Sequence, residues 1–275
     1  MGRLRRSQRL TGAQLAAMVA MSQPKISRIE RGQGFVDPED VGVIARALGA
    51  DEDLVHILMS HAERSQDRMT DWRPAKFGFV GQQNTIMDWE RSATSFRDFR
   101  MTLMPGLLQT SGYVKLVLQA FQRLGSIEVS GRTEQSLLAT VAARLRRQEV
   151  LADRSKSFRF IVWEPVFKPG GYPPVEMLAQ ISHLRGVVEQ RANVKVAVIP
   201  QEAPVEIPPQ HGFNLLDESL VIVDLYNTGL ISRSRKDVET YGRVFEALEE
   251  HAIAVEPFLD RYQELYIDML RAGRE

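Results

Sequence analysis

Apolar positions in the first sixty residues recur every three or four places, the period of helices that bury one side. Leu15 and Val19 stand one turn apart, with small Ala16 and Ala20 beside them. Thr11 precedes Gly12-Ala13-Gln14 and is placed to cap that helix at its N-terminus. Ser22 offers a second N-cap, and Pro24 falls in the first turn beyond it, where a missing N–H costs little. Only Ala20 and Met21 are left to turn between the two helices. On the second helix Ile26 and Ile29 lie about 60° apart. Gln23, Ser27 and Arg31 form a row on the other side, flanked by Pro24 and Arg28. A helix this short is unstable alone. Its isoleucines must dock on the preceding helix, and its polar side then projects.

The pattern continues with Asp37 as N-cap, Pro38 at the first helical position, and Val41, Ile44, Ala45 and Leu48 as an apolar side that Gly49 ends. Asp51 caps a fifth helix carrying Leu54, Ile57 and Leu58. The first helix is expected to be short, because Met1 stands only a few residues before Arg5. A polar stretch, ERSQDRMTDWRP, then reads as a junction, either a continuation of the fifth helix or a tether.

Beyond it the period alternates between helix and strand. A helix is predicted near 82–92, a strand over FRDFRMTL, a turn at Pro105-Gly106 running into a helix, and a long helix over 129–152. The strand SFRFIVW, the helix VEMLAQISHLRGVVEQ, the strand VKVAVIP and a hairpin-like pair, FNLLD and LVIVDLY, follow. Helices near 235–254 and 257–272 come last. The prediction is an all-α five-helix domain over 1–63, a junction over 64–74, and a mixed α/β (α+β) domain over 75–275.

Composition narrows the function. Of 275 residues, 44% are hydrophobic and 25% charged, as in an ordinary globular protein with a core. There is no cysteine, which excludes disulfides, a thiol nucleophile and Cys-ligated zinc, and which suits a reducing cytoplasm. No apolar run reaches the roughly 20 residues of a membrane span, and the basic N-terminus lacks the apolar segment of a secretory signal. Net charge is zero but unevenly spread: residues 1–35 carry +6 and residues 36–63 carry −6. The first domain therefore presents a directed field.

Chemistry is sparse. No GxGxxG, Walker loop, HExxH or GxSxG is present. His56 and His61 are five apart, a poor helical spacing for a shared metal, and His183 and His211 lack partners at ligand spacing. Gly170-Gly171 fits a turn better than a phosphate cradle. Arg144, Arg146 and Arg147 read as a solvated helix face rather than a site for an acidic partner. The 203–210 loop is either a contact loop or a plain strand connection. No catalytic residue, cofactor or metal site is predicted.

The segment TGAQLAAMVAMSQPKISRIERG, continued by VGVIARALGA, resembles the helix-turn-helix of the XRE family and the phage repressors. The resemblance implies a lambda-repressor-like fold with the helix from Ser22 to Arg31 in the major groove. It implies base reading by Gln23, Pro24 and Arg28, backbone contacts by Thr11, Gln14, Lys25, Ser27 and Arg31, and a structural ion pair between Arg5 and Glu30. Position 20 is Ala where that family usually has Gly, so the turn is expected to carry a small conformational cost at positive φ. Farther on, DWERSATSF, MPGLLQT with SGY, RLRRQEVL and WEPVF…GG…QISHL resemble the C-terminal domain of WhiJ-like actinobacterial regulators. Members of that family have been described as antitoxin-like and are often encoded beside a small acidic protein.

The expectation is a cytoplasmic, sequence-specific DNA-binding transcriptional regulator, a repressor and a homodimer, whose C-terminal domain binds a small-molecule effector or a small acidic partner protein. The alternative is an antitoxin-like protein that mainly binds a cognate small protein and autoregulates its operon. An enzyme with a DNA-binding appendage is the third class. A pocket lined by clustered ionisable groups is the feature that would revive it.

Overall fold

The computed structural model describes residues 1–31, 36–66, 69–71, 78–123, 134–226 and 229–273. The chain forms two compact units, one of residues 1–70 with 232–237 and one of residues 71–231 with 238–275.

The first unit contains α1 (Gly2–Ser7), α2 (Gly12–Met18), α3 (Gln23–Arg31), α4 (Pro38–Ala47) and α5 (Glu52–Gln66). Leu15, Ala16, Ile26, Ile44 and Leu48 make its central cluster, with Leu4, Leu10, Val19 and Ile29 packed around it. Ile29 also touches a second cluster of Val36, Val41 and Ala62, joined by Leu58. One inward position differs from expectation. Ile57 is 52% exposed and Val55 is fully buried in its stead.

Capping chemistry explains why these short helices stop and start where they do. Thr11 and Gln14 close a reciprocal capping box: Thr11 Oγ1 accepts from the Gln14 amide at 3.2 Å and Gln14 Oε1 accepts from the Thr11 amide at 2.8 Å. Asp37 accepts from the Glu39 amide at 3.0 Å, and Asp51 from the Leu54 amide at 2.8 Å. Three C-termini share one device, in which the chain turns through a left-handed residue and two amides reach back to the last turn. After α4, Ala50 N bonds Ala45 O and Gly49 N bonds Arg46 O. After α2, Met21 N bonds Ala16 O and Ala20 N bonds Ala17 O; after α1, Leu10 N bonds Arg5 O and Arg9 N bonds Arg6 O. Only the α4 terminus uses glycine, Gly49 at φ 72°, whereas Ala20 and Arg9 hold φ 52° and 57°. Each non-glycine costs about 1 kcal/mol there.

The second unit is built on a mixed sheet in the order β1-β7-β6-β5-β2-β3-β4-β8. The strands are β1 (Thr70–Asp71), β2 (Ser95–Arg100), β3 (Ser157–Trp163), β4 (Val194–Ile199), β5 (Phe213–Leu216), β6 (Leu220–Asp224), β7 (Gly229–Ser232) and β8 (Ile253–Ala254). Its helices are α6 (Gly78–Ser92), α7 (Ser111–Arg123), α8 (Glu134–Arg147), α9 (Pro174–Gln190), α10 (Arg235–Glu249) and α11 (Glu256–Ala272). Central β2, β3 and β4 run parallel, with Phe96 opposite Phe158 and Phe158 opposite Val194. Parallel neighbours need long crossovers, which the helices supply. β5 joins β2 antiparallel and forms a hairpin with β6. The main core gathers Phe96, Phe158, Phe160 and Val198 with Ile181 and Leu184 of α9 and Leu259 of α11. Phe213 meets Phe245 of α10 edge-on at 6.4 Å.

Three expected boundaries move. β2 ends at Arg100, short of FRDFRMTL, and α8 gives way to a 3-10 turn over Gln148–Ala152. The helix expected to reach 254 stops at Glu249, and Ile253–Ala254 pairs with β4 instead. Residues 129–133 of the expected helix, and 67–68 and 72–74 of the junction, lie outside the described residues; α5 continues into that stretch as far as Gln66.

Candidate nucleic-acid interface and an interior cavity

On α3 the apolar and polar sides part as their spacing requires. Ile26 is 1% exposed. Gln23, Pro24, Arg28 and Arg31 are exposed, as are Thr11 and Gln14 of the preceding cap, while Lys25 and Ser27 are half-buried. Ser22 Oγ accepts from the Lys25 amide at 3.4 Å and closes the first turn. Arg31 folds back, its Nε donating to the Ser27 carbonyl at 3.1 Å. Lys25 is engaged as well, with Nζ 2.6 Å from Asp40 Oδ2 of α4.

Arg5 and Glu30 meet as a fork, Nε to Oε1 at 2.6 Å and Nη2 to Oε2 at 2.8 Å, and Arg5 Nη1 donates to the Leu10 carbonyl at 2.7 Å. Their side chains are 16% and 14% exposed. The hydrogen bond from Arg5 holds the Glu30 carboxyl below its ordinary range. This pair ties α1 and the loop after it to the C-terminal half of α3, fixing the helix whose outer side carries the candidate contacts.

The second unit holds a cavity of about 470 Å³ lined from β2, β5, β6, α6, α7 and α8. Leu103, Leu107, Val117, Phe121, Ile222 and Tyr226 supply apolar wall. The polar part contains three arginines and three carboxylates. Arg147 forks onto Glu90 at 2.9 and 2.6 Å and donates to Gln83 Oε1. Arg100 lies 2.6 Å from Asp98 and 3.4 Å from Asp224. Burial pushes the Asp98 carboxyl up. Among the described residues Arg144 donates only to the neutral Gln109 Oε1, at 3.2 Å, and its buried Nε has no partner. Burial, reinforced by Arg147, pulls the Arg144 guanidinium down to about 10, with Asp224 opposing at longer range.

These contacts overturn the reading of residues 144–147 as a solvated face. Arg147 is 9% exposed and Arg144 faces the cavity, leaving Arg146 alone outside. The signal lay in register. Along β2, positions 96, 98 and 100 share one side, so Asp98 and Arg100 follow Phe96 inward. On α8, Arg144 and Arg147 follow Leu137, Thr140 and Val141 at helical spacing.

Other candidates resolve simply. Gln210, at the end of the 203–210 loop, reaches the cavity, as does His211, whose Nε2 is 2.8 Å from Tyr241 Oη. His183 sits half-buried in α9, and Gly170 turns the chain at φ 136°. Glu164 is tied down by Tyr262 Oη at 2.7 Å, the Gln201 amide at 2.9 Å and Arg261. Among the described residues no three His, Asp or Glu side chains group as a metal site, and no helix is long and apolar enough to cross a membrane.

A helix-turn-helix domain family matches residues 1–58. A domain of unknown function, DUF5753, matches residues 83–259. No curated protein matches the chain. Among solved structures, NucT from Helicobacter pylori is 8% identical, with a TM-score of 0.36 over 68% of this chain and 97% of that one. TrmBL2, an archaeal chromatin protein with a novel mode of DNA binding, is 11% identical, with a TM-score of 0.33 over 90% and 88%.

Proposed function

We propose, for a chain that belongs to the DUF5753 family and opens with a helix-turn-helix domain, that it is a sequence-specific DNA-binding repressor whose second unit binds an effector. The carrying observation is α3, which buries Ile26 and leaves Gln23, Pro24, Arg28 and Arg31 exposed in one stretch. Gln presents a donor and an acceptor that match adenine, and Arg presents a fork that matches guanine, both in the major groove. Pro24 lies close to the groove floor. Thr11, Gln14, Lys25, Ser27 and Arg31 contact the phosphates that hold the helix in register. One short helix reads too few base pairs to be selective in a genome, so the active form is a homodimer on a near-palindromic site.

The test is titration against operator fragments selected from the host genome and their single-base variants. Gln23→Ala and Arg28→Ala are each expected to cost about 1–3 kcal/mol at one or two base pairs and little elsewhere. An equal loss on every sequence would reassign the residue to the phosphate backbone.

The cavity supports a second reading, because it gathers ionisable groups as an enzyme's site does. Glu90, Asp98 and Asp224 are, however, already engaged by Arg147 and Arg100. We therefore read the cavity as a binding site without chemistry. The antitoxin-like alternative keeps the same DNA reader and gives the second unit a small acidic protein instead.

A further inference from the structure

We propose that the cavity of the second unit binds a small organic carboxylate, with Arg144 gripping the carboxylate and the apolar wall holding an alkyl or aryl body. The proposal deepens the effector reading and rests on taking the cavity as a binding site; it is independent of the DNA contacts.

Charge matching inside the cavity selects the ligand's charge. Arg147 has Glu90 in a two-bond fork, and Arg100 has Asp98 and Asp224. Arg144 forms no ion pair among the described residues and makes a single bond to a neutral amide. A half-buried guanidinium with no carboxylate in ion-pair range among the described residues, and with its Nε wholly buried, is a costly feature. Its unpartnered Nε marks where an acceptor is missing. A carboxylate fits the guanidinium fork with two parallel hydrogen bonds. Arg144 is the one arginine of this lining without an ion-pair partner among the described residues, and because three carboxylates already face the three arginines, the site takes no more than one added negative charge. A phosphate dianion would bring a second charge towards Glu90, Asp98 and Asp224, so the geometry favours a monoanion.

The rest of the lining selects the body. At about 470 Å³ the space falls within the range of small-molecule sites. Val117, Leu107 and Ile222 close one part of it. Phe121 and Tyr226, with ring centres 6.4 Å apart, form an aromatic pair along the wall. Tyr226 is 74% exposed, so this aromatic part opens towards solvent and supplies an entrance. A ligand with its charge at Arg144 and its apolar body towards Phe121 uses both ends.

The test is calorimetric titration of the full-length protein, without DNA, with 4-phenylbutyrate, its neutral amide 4-phenylbutanamide, and inorganic phosphate. A probe of this size at ordinary ligand efficiency is expected to bind at about 1 mM. The amide and phosphate are each expected to bind at least about tenfold more weakly. Arg144→Gln is expected to lose about tenfold for phenylbutyrate, with Arg144→Lys in between. Thermal unfolding separates binding from structure: removing an unmatched buried cation should leave Arg144→Gln at least as stable as the parent. No binding of phenylbutyrate up to about 20 mM, equal binding of the amide, tighter binding of phosphate, or full affinity in Arg144→Gln would each overturn the proposal. Loss of binding together with a large fall in the unfolding midpoint would overturn it too, by making Arg144 structural. Because DNA is absent, failure of the DNA-reading proposal leaves these outcomes untouched.

Discussion

The two units each contain an arginine forked onto a glutamate, but they set the pair in different surroundings. Arg5–Glu30 in the first unit keeps 16% and 14% exposure, and Arg147–Glu90 in the second keeps 10% and 7% beside a charged cavity. In the first unit Arg28 and Arg31 of α3 are exposed, where a nucleic acid can meet them. In the second, the charges on the inward register of β2 and α8 line a cavity that opens beside Tyr226. Water screens the first arrangement, whereas the second must be neutralised from within.

The largest expected effect tests that contrast directly. Glu90→Ala leaves Arg147 with Gln83 as its remaining hydrogen-bond partner among the described residues and is expected to destabilise the second unit by about 3–5 kcal/mol. Glu30→Ala leaves Arg5 partly solvated and still bonded to Leu10 O, so about 2–3 kcal/mol is expected. Amide hydrogen exchange in the full-length protein, read on β2–β3 for the first variant and α2–α3 for the second, measures both. Equal losses would abolish the distinction.

Acid sharpens it further. The Glu30 carboxyl titrates below its ordinary range in the folded protein. The unfolded chain therefore binds its proton first, and stability rises with pH through that window. The contribution is complete above about pH 4.5 and fades as pH falls through the lowered folded value. Glu30→Gln should flatten this part of the stability profile of α2–α3. An unchanged acid profile would show that Arg5 does not perturb Glu30.

Legibility differed between the units for the same physical reason. The N-caps at Thr11, Asp37 and Asp51 and the C-terminal Gly49 were readable because capping depends on local chain chemistry. SFRFIVW was readable as β3 because its apolar residues are strand formers, with Ile161 buried between Phe160 and Val162. The cavity was not readable as a site. Its residues come from segments more than a hundred positions apart, and RLRR looks like a solvated face until α6 and β2 are packed against it. Ile57 was misplaced because Val55 and Ile57 both suit a helix, and only packing against α4 decides which turns inward.

A smaller effect concerns the left-handed C-termini of the first unit. Ala20→Gly removes a side chain from φ 52° and is expected to stabilise α2–α3 by about 0.5–1 kcal/mol after glycine's greater entropy loss. Gly49→Ala, at φ 72°, should destabilise by about 1 kcal/mol. Thermal unfolding of the two variants gives opposite signs if the backbone geometry controls the effect. A loss in both would point to contacts made by Ala20.

The smallest effect asks whether the outward charges of the first unit are available to DNA at all. Lys25 is held by Asp40 at 2.6 Å, with 41% and 18% side-chain exposure. An ion pair this exposed is worth about 0–1 kcal/mol, so a phosphate can compete for the lysine, though at the expense of the pair. Asp40→Asn frees the ammonium and keeps the side chain's shape. Operator affinity is then expected to rise about two- to fivefold, consistent with the modest worth of an exposed pair. The slope of log K against log salt should steepen by up to about 0.9, the release of one counterion. Because a phosphate contact carries no sequence information, the gain should be equal on the operator and its single-base variants. Adding Lys25→Ala to Asp40→Asn should cancel both changes. An affinity gain that survives without Lys25 would mean that Asp40 repels DNA directly, and an unchanged salt slope would remove Lys25 from the phosphate contacts.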